Sequence, residues 1–129
     1  MLKVLRAITI LLTLGLFTTA FAACEPMVQS YTTEFMEELQ EKVTLTPEQQ
    51  DAMEGIMQSG INEREDIINS YQGQKGLKVK RQMRTELQSA NEQTRSEVQQ
   101  VLDDEQYQAF LEVQEKNQEK VRERINRDF

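Results

Sequence analysis

Apolar residues recur at spacings of three and four along most of this chain, and no stretch sustains an alternation of period two. Val28, Tyr31, Phe35, Leu39 and Val43, with Met36 beside them, outline a first helix whose other face is acidic. Met53, Ile56, Met57, Gly60, Ile61, Ile67, Ile68 and Tyr71 outline a second. Gln72-Gly73-Gln74-Lys75-Gly76 then breaks the stripe, and its paired glycines predict a turn. Val79, Met83, Leu87, Ala90, Thr94, Val98 and Val101 mark a third helix. Tyr107, Phe110, Leu111, Val113, Val121 and Ile125 mark a fourth, whose stripe thins around Gln114, Asn117 and Gln118. The expected spans are 27–43, 47–72, 77–101 and 103–127, an all-α fold of four helices. Short connections stack consecutive helices as antiparallel hairpins. The second and third helices are expected to be the long arms, roughly 35 Å each.

Two of the helix starts share one chemistry. In Leu45-Thr46-Pro47-Glu48-Gln49, Thr46 is placed as N-cap, Pro47 at the first helical position and Gln49 three residues after the cap. The Thr46 hydroxyl can accept from the Gln49 amide N–H while the Gln49 side chain reaches back to the Thr46 N–H, and Pro47 has no N–H to leave unmet. Leu102-Asp103-Asp104-Glu105-Gln106 repeats the arrangement with Asp103 as cap, and Leu102 is placed to staple onto Tyr107. Glu48, Asp51, Asp104 and Glu105 put negative charge near the positive ends of these helices.

The segment ahead of the first helix is of a different kind. Lys3 and Arg6 precede an uncharged apolar run from Ala7 to Phe17, followed by the small-x-small pattern Ala20-Phe21-Ala22. This is the layout of a secretory signal, and the run is too short for a membrane span, which needs ~20 residues. Residues 1–23 are therefore read as a signal peptide and 24–129 as one helical domain. Loss of Lys3 and Arg6 takes the net charge from -7 to -9. Only 21 Leu, Ile, Val and Phe residues follow residue 23, a thin supply of core for two long arms, which predicts a homodimer. Cys24 is the single cysteine, so an intramolecular disulfide is excluded. Phe21-Ala22-Ala23-Cys24 has the form of a lipobox that would lipidate Cys24 and anchor the domain to a membrane. Ordinary cleavage after Ala22, leaving a free thiol in a periplasmic protein, is the alternative.

Charge and composition narrow the function. There is no histidine, which removes the commonest general base and metal ligand. The carboxylates fall on periodic polar helix faces, and no glycine-rich phosphate loop occurs. No catalytic residue, metal site or cofactor is expected. The acidic balance argues against nucleic acid. Charge is nevertheless uneven: Glu25 to Glu54 holds eight acids against Lys42, whereas Lys75, Lys78, Lys80, Arg81 and Arg84 form a basic block free of acids. Lys78, Lys80, Arg81 and Arg84 flank Val79 and Met83, a mixture of charge and adaptable apolar groups suited to weak binding of varied sequences. Met36, Met53, Met57 and Met83 are read either as core or as part of such a surface.

Leu45 to Gln49 is a full LTXXQ motif, and Leu102 to Gln106 is a degenerate second copy. Two copies, each opening a helix behind an export signal, resemble the LTXXQ family of bacterial periplasmic helical proteins, the Spy/CpxP-like type, over most of residues 28–127. The resemblance implies a cradle-shaped antiparallel dimer of long helical hairpins. It also implies one of two tasks: holding unfolded envelope proteins without ATP, or binding the periplasmic domain of a sensor kinase in an envelope-stress pathway. A structural helical lipoprotein is the third reading. The metal-sensing branch of the family relies on histidine-rich sites, which this chain lacks. Within the motifs, Leu45, Thr46, Gln49, Leu102, Asp103 and Gln106 are expected to shape helix starts rather than to touch a client.

Overall fold

The computed structural model describes residues 25–129; residues 1–23, expected to be a signal peptide, and Cys24 lie outside them. The described residues form four helices, α1 (Glu25–Lys42), α2 (Pro47–Ser70), α3 (Leu77–Gln99) and α4 (Asp104–Asp128), with no strand among them. The helix ends fall within two residues of those expected from the pattern. The lengths do not follow the expectation of two long arms. The longest helix is α4, with 25 residues against 24 in α2 and 23 in α3. Its thinned stripe conceals a continuous helix in which Gln114 is buried and held by Arg95.

Local chemistry sets the boundaries. Helix α2 opens on the Thr46 capping box: the Gln49 N–H donates to Thr46 Oγ1 at 3.1 Å, and the Thr46 N–H donates to Gln49 Oε1 at 3.0 Å. Asp103 and Gln106 do the same for α4, at 2.8 and 3.0 Å. Between α2 and α3 the chain reverses through Gly73 (φ 82°) and Gly76 (φ 114°), backbone angles that side-chain-bearing residues rarely adopt. No side chain caps α3, which starts instead from Gly76 with cations in its first turn. The Gly76 N–H donates to the Phe129 carbonyl at 3.4 Å, fastening the end of α4 to this turn.

Consecutive helices pack as antiparallel neighbours, and α1 also packs against α4. Each of α1 and α3 therefore touches both α2 and α4, while α2 and α4 lie on the diagonal. These two meet through long side chains at two levels, Gln49 with Gln106 and Glu65 with Arg124. Ion pairs line the α1–α4 seam: Glu34 with Lys120, Glu38 with Lys116 and Lys42 with Glu112, at 3.1–3.2 Å. Their exposure limits each to ~0–1 kcal/mol.

The core has two parts. One gathers Phe35, Met36, Leu39, Met53, Phe110 and Val113 with their neighbours beneath the two motif loops. The other, built from α2, α3 and α4, gathers Ile68, Met83, Leu87 and Ile125, with Val79 and Tyr71 packed against it. Between them lie Gly60, buried Glu65, Thr94 and Gln114, and the pair Arg64–Tyr31. Close approach of α2 and α3 at this level depends on Gly60, where an added Cβ would sit 2.7 Å from Thr94 Oγ1. All four stripe methionines are core: Met36, Met53, Met57 and Met83 are buried. Among the described residues only Met27 and Leu77 are exposed large hydrophobics, so the single chain covers its sparse apolar side chains by itself.

Candidate functional site

The two LTXXQ segments are brought together. Gln49 Nε2 donates to Gln106 Oε1 at 2.8 Å, and Gln106 Nε2 donates back to Gln49 Oε1 at 2.9 Å. The second amide hydrogen of Gln49 is directed to the Val101 carbonyl at 3.1 Å, and that of Gln106 to the Thr44 carbonyl at 2.9 Å. Val101 and Thr44 are the residues immediately before the two motif leucines, so the junction repeats itself about a local twofold relation. Leu102 is buried in the core below and Leu45 packs against it. Motif residues thus close the α1–α2 and α3–α4 connections onto each other. The sequence assigned the glutamines to their own caps; the mutual pairing was not anticipated.

The basic block forms an open face at the start of α3. Lys75, Lys78, Arg81 and Arg84 are exposed and Lys80 is half-buried. Among the described residues none of the five makes an ion pair; Arg84 donates to the Asn126 side-chain oxygen at 3.0 Å. Leu77, 61% exposed, sits among these cations. The apolar residues named with the block lie differently: Met83 has no exposed surface and Val79 is half-buried against the second core cluster. Leu77, outside the periodic stripe, is the apolar group this face presents. Nearby, Tyr71 donates its phenol to Glu86, and that hydrogen bond, with partial burial and the carboxylate charge, raises the Tyr71 pKa above its usual value.

At the level between the two cores, Glu65 is 1% exposed and charged groups surround it. Arg124 Nη1 lies 3.1 and 3.0 Å from its two oxygens, and Arg64 Nε and Nη2 each lie 3.3 Å from Oε1. The Arg64 guanidinium carbon also lies 5.4 Å from the centre of the Tyr31 ring. Burial lowers the Arg64 pKa, opposed by the Glu65 charge and hydrogen bond. Pairing offsets the desolvation of the carboxylate, which unpaired would be strongly unfavourable here. Glu65 was missed in the sequence, although Met57, Ile61, Glu65 and Ile68 share one helical register.

Beside this level is a cavity of about 440 Å³, floored by α1 and α2 and opening between α3 and α4. Polar side chains of the α3–α4 seam, Asn91, Thr94, Gln114, Asn117 and Gln118, are part of its lining. Arg95 donates to Gln114 and Arg84 to Asn126, bridging the seam at two points. Among the described residues no group of His, Cys, Asp and Glu side chains is placed to hold a metal ion, and no helix is long and apolar enough to cross a membrane.

No family model matches the chain, and no curated protein or solved structure shows significant similarity to it.

Proposed function

We propose that this chain is an exported, ATP-independent holding protein for unfolded polypeptides of the bacterial envelope, of the Spy/CpxP-like type and acting as a homodimer. The observation that carries the reading is the pair of LTXXQ segments, each capping a helix and the two locked together by Gln49 and Gln106. The free cationic face from Lys75 to Arg84, with Leu77 exposed among its charges, supports the client-binding part. Such a face attracts acidic unfolded chains over the ~10 Å that charge reaches at 0.1 M salt, and then offers a weak apolar contact. Weak, sequence-tolerant binding is what release without nucleotide requires. Because one chain already covers its core, the proposed dimer would join through polar faces or exchanged helices. Lipidation of Cys24 would tether the domain to the membrane.

The test is light scattering from an aggregating, chemically unfolded client protein, without nucleotide. Suppression at near-equimolar chain concentration is expected. Absence of suppression, together with saturable binding to one sensor-kinase periplasmic domain, would replace this reading with the regulatory one.

A further inference from the structure

The cavity between α3 and α4 has a charge pattern opposite to that of the whole molecule. The chain carries a net charge of -7, yet Arg84, Arg95 and Arg122 line the cavity without an ion pair among the described residues. Arg84 and Arg95 are bound only to neutral amide oxygens, of Asn126 and Gln114, which orient a guanidinium without neutralising it. A fourth lining arginine, Arg64, has its charge answered by Glu65, and Glu92 is the single carboxylate in the lining. The floor differs in kind. Phe35, Met57 and Ile61 are buried core residues whose surfaces the cavity reaches. A cationic mouth over an apolar floor suits neither a simple inorganic anion nor a neutral hydrocarbon. The volume, about 440 Å³, lies within the range of small-molecule sites. Arg84 and Arg95 are eleven residues apart, so their bridges to α4 stand roughly 16 Å apart along the helix, leaving an opening that admits a narrow molecule.

We propose that this cavity binds one anionic amphiphile: a single acyl or alkyl chain against the Phe35–Met57–Ile61 floor, with a carboxylate or phosphate head at the arginine-lined mouth. Guanidinium groups match both head chemistries, and Asn91 and Gln118 in the same lining carry amides that can serve as neutral donors. The site shares Arg84 with the basic face but otherwise uses the α3–α4 seam rather than the start of α3, and its test changes only Arg95 and Arg122, which lie outside that face.

The test is calorimetric titration of the protein, purified without detergent, with dodecanoate and with dodecyl phosphate below their micelle concentrations. Dodecanol, acetate and inorganic phosphate serve as controls. One molecule per chain is expected for at least one dodecyl anion, with affinity at least tenfold tighter than for dodecanol and no saturation by acetate or phosphate. The tighter of the two anions names the head group. The Arg95→Gln/Arg122→Gln double variant should bind at least tenfold more weakly while its helical circular dichroism is retained. Should that variant fail to fold, Arg122→Gln alone, which loses no hydrogen bond or ion pair among the described residues, must still weaken binding severalfold. Undiminished binding in these variants, equal affinity for dodecanol, many molecules per chain, or no binding of either anion would each overturn the proposal.

Discussion

Gln49 and Gln106 form a reciprocal amide pair in which every hydrogen-bonding valence of both side chains is used. Each oxygen accepts from its own cap N–H and from the other glutamine. Each nitrogen donates to the other glutamine and to the carbonyl before the opposite motif leucine. An amide has two donors and two acceptor sites, so the arrangement is complete, and it needs glutamine at both positions. A carboxylate at either would present lone pairs to a carbonyl.

The pair should behave as one unit in stability measurements. Gln49→Ala and Gln106→Ala should each cost about 1–3 kcal/mol, since each strands polar groups of the other. The double variant should cost less than the sum, because either single change already breaks the shared bonds. Thr46→Ala, which removes one hydroxyl from the same junction, should cost ~1 kcal/mol. Urea denaturation midpoints measure all four; strict additivity of the glutamine changes would contradict the pairing.

Two glycines of α2 should respond in opposite directions. Gly55 faces open space, so Gly55→Ala should stabilise the helix by about 0.8–1 kcal/mol. At Gly60 the new methyl would lie 2.7 Å from Thr94 Oγ1, whose hydroxyl is itself held on the Ala90 carbonyl at 3.1 Å. Gly60→Ala should therefore destabilise by ~1–3 kcal/mol, and Thr94→Ala should relieve much of that loss. Thermal melts of Gly55→Ala, Gly60→Ala and Gly60→Ala/Thr94→Ala decide it; equal gains from both glycine changes would show that the helices have room to separate.

Removing Arg124 should expose how much of the buried carboxylate's cost is offset by its partners. Arg124→Ala leaves Glu65 with Arg64 alone, and a loss toward the lower part of about 3–5 kcal/mol is expected. The double change Glu65→Met/Arg124→Leu should be less harmful than Arg124→Ala, because the most deeply buried charge of the cluster is then gone and Arg64, partly exposed, keeps its contact with the Tyr31 ring. If the double variant is the less stable of the two, the cluster contributes more than charge compensation.

Tyr71 should titrate above its ordinary value of ~10. Its protonated phenol donates to Glu86, so folding favours the neutral form. The contribution is complete below the unfolded pKa and is lost as pH rises through the higher folded one. Absorbance titration of the phenolate band, comparing the protein with Glu86→Ala, should show one of the three tyrosines moving down in the variant. Superimposable curves would mean that the bond does not persist in solution.

Helix limits and caps were legible because their causes are local. Thr46 and Gln49, or Asp103 and Gln106, lie within one turn and meet whatever surrounds them. Partners across the bundle were not legible. Once a cap explained Gln49, nothing within its helix required Gln106, and the only trace was the same motif recurring 57 residues later. Glu65 and Gln114 sit in register with the apolar stripes, yet the pattern passes over Glu65 and thins at Gln114. A polar residue at a core position is ambiguous until its partners, here Arg64, Arg124 and Arg95, are placed. Met83 was named with the basic block by proximity along the chain, whereas the helix turns its side chain into the core and leaves Leu77 outside. The thin apolar composition did not show that its few large residues would fall into two separate clusters. Four helices enclosing a polar level between two small clusters need fewer large residues than two bare hairpins.

Charge-guided client capture is tested most directly by light scattering at low salt, comparing the protein with its Lys80→Glu/Arg81→Glu/Arg84→Glu variant against one acidic aggregating client. These side chains make no ion pairs among the described residues, and acids near a helix N-terminus favour the helix, so helicity should be preserved. The account predicts that the protein suppresses aggregation, that added salt weakens the effect, and that the triple variant loses most of it. Full suppression by the triple variant at low salt would contradict the account and leave the basic face a solvated helix start.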